Sequence, residues 1–128
     1  MEIRRDDRAT GPLIAGFAGT GYRIRLETEE RVFAGGALVT PLDAQAWNAP
    51  DPAALTMAAL GDLLALDRTP EFLLLGTGAT LVQPSRAFVN AMEARGIGVE
   101  VMDSRAAARA WNVLRHEGRW IIAALMPL

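Results

Sequence analysis

The sequence predicts an α/β fold, with a sheet whose central strands are parallel and helices on its faces. One observation indicates the fold class, and a second indicates a single domain. Short apolar runs alternate with helical patterns in the order ββαβαβαβ, as in sheets of this class. The chain has 128 residues, of which 51% are hydrophobic, enough for one core but not for two ordinary domains. We expect an N-terminal arm over residues 1–20, laid over a single domain that spans residues 21–128.

The first two strands are predicted to form a hairpin. YRIRLE, residues 22–27, alternates apolar and polar side chains with a period of two. TEER turns the chain, and RVFAGGALVTP, residues 31–41, is predicted to be the return strand. Its Gly35 and Gly36 permit a bulge or a close backbone approach.

The middle of the chain is predicted to run from a loop through a helix into a buried strand. Residues 42–52 hold Trp47 and two prolines, which indicates a loop. Thr56 can cap a helix over MAALGDLLAL, residues 57–66. EFLLLG, residues 71–76, is a continuous apolar run, typical of a strand covered on both faces.

Two helices and two strands complete the predicted domain. Pro84 suits the first turn of a helix that ends near Arg95, and GIG closes this helix before the strand VEVM. The last helix is predicted from Ser104 to His116, and WIIAALM is the final strand.

The composition excludes several kinds of site. All thirteen basic residues are Arg, which removes Schiff-base catalysis and the lysine of a P-loop. There is no Cys and one His, so we expect no thiol nucleophile, no metal and no cofactor. A net charge of -2 argues against nucleic-acid binding. The N-terminus is unlike a secretory signal and the apolar runs are too short to span a bilayer, so a cytoplasmic location without membrane insertion is expected.

A candidate site follows from the strands at 71–75 and 98–102. If they are parallel neighbours, the loops after both emerge at one edge of the sheet, where α/β folds usually bind ligands. Free backbone N–H groups there could hold an anion weakly. GTGATL lacks the third glycine of GxGxxG, which favours a turn over a dinucleotide site. The residues expected at this edge are Gly76, Thr77, Gly78, Asp103, Ser104 and Arg105.

Asp103 has two interpretations, a carboxylate for proton transfer or the N-cap of the last helix. The cap is favoured because no second carboxylate or histidine lies nearby in the sequence. We therefore assign no catalytic residue.

The last helix is predicted to be amphipathic. Its polar stripe consists of Arg105, Arg109, Asn112 and His116, and the opposite face of Ala106, Ala107, Ala110, Val113 and Leu114. The stripe is either a solvated face or a set of contacts to an anion or a partner. Trp47, outside any periodic element, is the tryptophan best suited to anchor an interface.

Several stretches together resemble one known family. They are FAGGALVTP, Trp47, EFLLLGTGAT, the proline that opens the next helix, GIGVEVMDSRAAARAWNVL and EGRWIIAALMPL. On these stretches the chain is identified as a member of the family of small α/β domains of unknown function that includes the mitochondrial complex I assembly factor three and the adipogenesis-associated domain protein. Where relatives tend to have Thr, Pro and Cys, this chain has Ser104, Arg105 and Ala108, so no role that needs a thiol is carried over.

The resemblance implies a central mixed sheet of about five strands, with the last strand antiparallel, flanked by helices. It brings no catalytic residue; Gly76, Gly78, Asp103 and Asn112 match the family's motifs as candidate surface or turn positions. The assembly-factor branch works on membrane-bound complex I intermediates, whereas bacterial members are generally uncharacterised.

Two functional hypotheses follow. The favoured one is a non-enzymatic interaction module of the bacterial type, whose protein partners are subunits or assembly factors of a membrane complex. The alternative is a small anion-binding domain, or an unrecognised enzyme, at the edge formed by Gly76 and Asp103.

Overall fold

Residues 10–128, the part of the chain that the computed structural model describes, contain eight strands in two sheets, two α-helices and two 3-10 segments. The helices are α1 (Arg86–Ala94) and α2 (Ser104–His116). The strands are β1 (Leu13–Ala18), β2 (Gly21–Leu26), β3 (Glu29–Phe33), β4 (Gly36–Val39), β5 (Ala44–Trp47), β6 (Phe72–Gly76), β7 (Gly98–Met102) and β8 (Ile122–Leu125).

The predicted mixed sheet of five strands is confirmed, with the order β5-β4-β8-β6-β7. β6 lies parallel to both β7 and β8, as expected for strands joined by crossover helices. The last strand, β8, is antiparallel to β4 on its other side, which is where the implied antiparallel pairing occurs. β8 therefore lies at the centre of the sheet, between the parallel half and the antiparallel half.

Both faces of this sheet are covered, as the apolar run at 71–76 predicts. Along β6, Leu73 and Leu75 face one hydrophobic cluster with Phe88 and Met92 of α1, whereas Leu74 faces the other with Trp111 of α2. This alternation is the period of two that a strand imposes on its side chains. The two α-helices consequently lie on opposite faces of the sheet.

The second sheet corrects two predictions about the N-terminal third. β1, β2 and β3 form a separate antiparallel sheet in that order. The prediction of an arm over residues 1–20 is wrong for residues 13–18, which are β1, and Ile14 belongs to the core; residues 1–9 lie outside the described part. The predicted return strand is two strands, β3 and β4, because the chain leaves one sheet for the other at Gly35. The close backbone approach is confirmed at Gly36, where a Cβ atom would lie 2.8 Å from the carbonyl oxygen of Leu125.

The predicted helix over 57–66 is wrong in type. A short 3-10 turn at Pro52–Ala54 is followed by a second 3-10 segment, Met57–Leu64, interrupted at Gly61, where φ is +57°. A residue with positive φ cannot continue an α-helix, so the leucines at 60 and 63 are buried by two short turns. Thr56 precedes the segment but its side chain makes no capping hydrogen bond.

The helix from Ser104 to His116 is confirmed, but its buried face differs from the predicted one. The buried residues are Ser104, Ala107, Ala108, Trp111 and Arg115, whereas Val113 is 57% exposed. Arg115 is buried, and its guanidinium donates to the backbone carbonyls of Arg119 (2.6 Å) and Thr10 (3.4 Å). No helix within residues 10–128 has the length and apolar character needed to cross a bilayer.

Candidate functional site

The loops after β6 and β7 meet at one edge of the sheet, as predicted. The Thr77 N–H donates to the Met102 carbonyl (2.9 Å), and the Ser104 N–H donates to the Gly78 carbonyl (2.8 Å). In return, the Gly78 N–H donates to Ser104 Oγ at 2.8 Å. Thr77, Gly78 and Ser104 are all buried, so the edge is closed by its own hydrogen bonds.

This closure corrects the prediction of an anion cradle. A cradle needs N–H groups that point to solvent without a partner. Here the N–H groups of Thr77, Gly78 and Ser104 have internal partners, and that of Ala106 donates to Asp103 Oδ1 at 2.9 Å. These four groups are therefore structural donors.

A buried polar network secures the C-terminus of β8 against the start of α2. The Met126 carbonyl accepts from Ser104 Oγ at 2.8 Å and from the Tyr22 hydroxyl at 2.5 Å. Burial raises the pKa of Tyr22, although Ser104 and the charge of Arg105 oppose the shift. The phenol therefore stays protonated and remains a donor at physiological pH, linking the small sheet to the large one.

Asp103 acts as the N-cap of α2, the interpretation that the sequence favours. Its Oδ1 accepts from the Ala106 N–H, three residues along, with extended backbone angles at Asp103 itself. One oxygen of the carboxylate is thereby occupied by a helix donor.

Replacing Asp103 by alanine is expected to lower the free energy of unfolding by about 1 kcal/mol, because the Ala106 N–H loses its acceptor. Chemical denaturation of the purified variant measures this loss. Asp103→Asn, which keeps the accepting oxygen, serves as the control and should stay near wild type. Loss of partner binding in Asp103→Ala at unchanged stability would show that the carboxylate does more than cap the helix.

The loop after β6 presents two aliphatic side chains to solvent. Leu81 is 52% exposed and Val82 is 40% exposed. Thr77 holds this loop in shape, since its hydroxyl donates to the Thr80 carbonyl (2.7 Å) and accepts from the Val82 N–H (2.9 Å). Sequence reasoning missed the pair, although two adjacent apolar residues in a turn-rich stretch were a readable signal.

The polar stripe of α2 divides into exposed and structural members. Arg105 and Arg109 are exposed, and the Arg105 guanidinium lies 4.7 Å from the centre of the Phe17 ring. Asn112 is a clamp on β1, because its amide donates to the Ile14 carbonyl and accepts from the Ile14 N–H, both at 2.8 Å. Asn112 is therefore not free to bind a ligand, whereas the two arginines are accessible.

Trp47 is not the exposed anchor that the sequence suggested. It ends β5, is 7% exposed, and its Nε1–H donates to the Ala59 carbonyl at 2.8 Å. Within the loop predicted over residues 42–52, residues 44–47 are in fact an edge strand, and the indole packs against the 3-10 segment. The candidate interaction surface is thus the 77–82 loop with the exposed start of α2, not Trp47.

Residues 18–126 match a family model described as a protein of unknown function (DUF498/DUF598). Over 127 residues the chain is 30% identical to the NADH dehydrogenase (ubiquinone) 1 alpha subcomplex assembly factor 3 of Danio rerio, covering 99% of the chain and 71% of that protein.

Two bacterial proteins are similar as well. An uncharacterised protein of Rhodobacter capsulatus is 34% identical over 97 residues, which covers 76% of the chain and 73% of that protein. The crystal structure of a Bordetella parapertussis protein matches with a TM-score of 0.80 and 29% identity, covering 93% of this chain and 98% of the other. The fold is thus shared across both chains nearly in full.

Proposed function

Because the chain belongs to the family of unknown function DUF498/DUF598, and relatives of it are named as assembly factors of NADH dehydrogenase, we propose that it is a non-enzymatic interaction module that assists assembly of a membrane-bound complex. The proposed partners are subunits or assembly factors of a complex similar to respiratory complex I. The proposed site of action is the cytoplasm, without insertion of the chain into the membrane.

The exposed Leu81–Val82 pair is the observation that carries this proposal. When a partner covers aliphatic side chains that are exposed to water, the free energy falls. Because the loop is already rigid, little ordering entropy opposes this contact. The Thr77 hydroxyl supplies that rigidity through its two bonds within the loop. A preformed apolar contact of this kind suits the docking of an unassembled subunit.

The chemistry at the same edge supports binding rather than catalysis. Asp103 caps α2, and the Ser104 hydroxyl is buried between the Gly78 N–H and the Met126 carbonyl. His116 lies at the far end of α2, about 20 Å from Asp103 at the rise of an α-helix. These three residues therefore cannot form a proton-relay group, and the occupied N–H groups leave the anion-binding alternative with less support.

Affinity isolation of the tagged chain from its own cells tests the proposal. The double variant Leu81→Asp/Val82→Asp is expected to recover roughly tenfold less of the partner than wild type, because the charges prevent burial of the contact. Val32→Asp is the matched control, since Val32 is 61% exposed on β3, away from the loop. Thermal unfolding should show all these proteins equally folded.

The identity of the recovered proteins decides the outcome. Mass spectrometry is expected to find NADH dehydrogenase subunits or their assembly intermediates with the wild type and with Val32→Asp. If the double variant recovers them as well as wild type does, the loop is not the contact. If no respiratory subunit is enriched with any variant, the assembly role itself is wrong.

A further inference from the structure

A groove runs between α2 and the outer side of β1. Its volume is about 200 Å³, and its walls are residues 14–17 of β1 with Ala108, Arg109 and Asn112 of α2. None of the functions proposed above uses it.

The floor of the groove is apolar because β1 contains a bulge. Ile14 pairs with Ile24 and Phe17 with Tyr22, although Ile14 and Phe17 are an odd number of residues apart. The irregularity between residues 14 and 16 brings both side chains to the face that packs toward α2. Ala108 adds only a methyl group on the opposite wall, so an open apolar slot remains.

The polar capacity of the groove lies in its arginines. The Oδ1 and Nδ2 atoms of Asn112 are both hydrogen-bonded to the backbone of Ile14. Arg109 is therefore the charged residue that remains in the wall of the groove. Arg105, one turn before it, lies over Phe17 at the end of the slot. The ion pairs formed within residues 10–128 are Arg23–Glu30, Arg31–Glu29 and Arg119–Glu71, and neither groove arginine takes part in one.

The position of these charges makes an external anion favourable. Arg105 is the second residue of α2, and the negative charge at this end of the helix comes from the N-cap Asp103, whose Oδ1 accepts from the Ala106 N–H. That carboxylate complements the helix dipole, whereas Arg105 and Arg109 take part in no ion pair within residues 10–128. Charge complementarity therefore calls for an acidic partner on this side of α2.

We infer that the groove binds an acidic segment of a partner protein, with one aliphatic side chain in the slot and flanking carboxylates on Arg105 and Arg109. A volume of about 200 Å³ accommodates one side chain, and it falls below the roughly 300–1,000 Å³ of sites for whole small ligands. The inference rests on the proposed interaction function and names the chemistry of the partner at the start of α2.

Titration of the ¹⁵N-labelled full chain with synthetic peptides tests the inference. The probe is acetyl-Asp-Asp-Leu-Asp-Asp-amide, compared with one peptide in which lysine replaces every aspartate and another in which serine replaces the leucine. The amide signals of residues 14–17 and 105–112 are expected to shift with the first peptide only. Equal shifts with the serine peptide would overturn the aliphatic anchor, and shifts with the lysine peptide would overturn the charge complementarity.

Charge-reversal variants locate the site. Arg109→Glu is expected to bind the acidic probe about tenfold more weakly, since an attractive wall charge becomes repulsive. Arg86→Glu is the matched control, because Arg86 is exposed at the start of α1 on the opposite face of the large sheet. Its affinity should equal that of wild type. Equal weakening in both variants would mean nonspecific attraction and would overturn the site.

Separate outcomes contradict the groove as the partner site and the proposed assembly role. If wild type recovers respiratory subunits from cells and Arg109→Glu recovers them equally well, the interaction function stands and the groove is not the partner site. If the acidic probe binds the groove but no respiratory subunit is recovered, the groove is an acidic-peptide site and the assembly role is wrong.

Discussion

Replacing Trp111 by alanine is expected to lower the free energy of unfolding by about 4 kcal/mol, the largest effect of any variant considered. Trp111 is fully buried in the cluster between α2 and the two sheets, and its Nε1–H donates to the Pro12 carbonyl at 2.9 Å. The substitution leaves a large cavity and removes the donor for that carbonyl. The small sheet thus loses one of the three hydrogen bonds by which Trp111 and Asn112 hold residues 12–14, the other two being those between Asn112 and Ile14.

Urea denaturation and thermal unfolding measure this effect, with a decrease of roughly 15 °C in Tm expected for a chain of this size. Trp120→Ala is the control, because Trp120 is only partly buried and its Nε1–H bonds the Arg68 carbonyl near the surface. Its loss should be less than half as large. Equal losses in the two variants would contradict the docking of β1 through Trp111.

Replacing Gly76 by alanine is expected to cost about 2 kcal/mol, although only one methyl group is added. A Cβ atom there would lie 2.9 Å from the Cα and from the Oγ of Ser104, and 3.2 Å from the Cβ of Ala107. The first of these is a backbone atom, so α2 must shift outward and strain the hydrogen bonds between Ser104 and Gly78.

Gly98→Ala is the control for this experiment. The added Cβ would meet the Cβ of Phe72 at 3.4 Å, an ordinary contact, and Gly98 does not have positive φ. That variant should be as stable as wild type or slightly more stable, because alanine restricts the unfolded chain. If Gly76→Ala is equally neutral, α2 does not press on β6 as closely as the structure shows.

The sequence predicted the elements that local signals define. β6 and β7 are apolar runs between turn residues, and α2 carries its cap at Asp103 and its polar stripe within a single stretch. The parallel pairing of β6 with β7 also follows from the crossover between them. For these elements, the spacing of apolar residues and the turn or cap residues at their ends were sufficient to predict the structure.

Features that depend on tertiary contacts were not readable in the same way. β1 has weak periodicity because its bulge breaks the alternation, and it is stabilised by α2, about 100 residues later in the chain. The separation of β3 from β4 at Gly35 is a choice of partner strand, which the local pattern does not encode. Burial of Trp47 likewise depends on the 3-10 segment that accepts its N–H.

The candidate site also combines features that the sequence predicts with features that depend on tertiary contacts. That Gly76–Gly78 and Asp103–Ser104 share an edge was predictable from topology, and so was the cap. That the Gly78 N–H is occupied depends on the direction of the Ser104 hydroxyl, which the sequence does not encode. The apolar pair Leu81 and Val82 is visible in the sequence, but its exposure and the Thr77 hydrogen bonds that hold its loop are tertiary features.

The abundance of fully assembled NADH dehydrogenase in cells that lack this chain tests the proposed assembly role most directly. Native gel electrophoresis of membranes is expected to show less mature complex and an accumulation of partial complexes. Wild type and Val32→Asp should restore assembly, whereas Leu81→Asp/Val82→Asp should not. A normal amount of mature complex in the absence of the chain would contradict the assembly role.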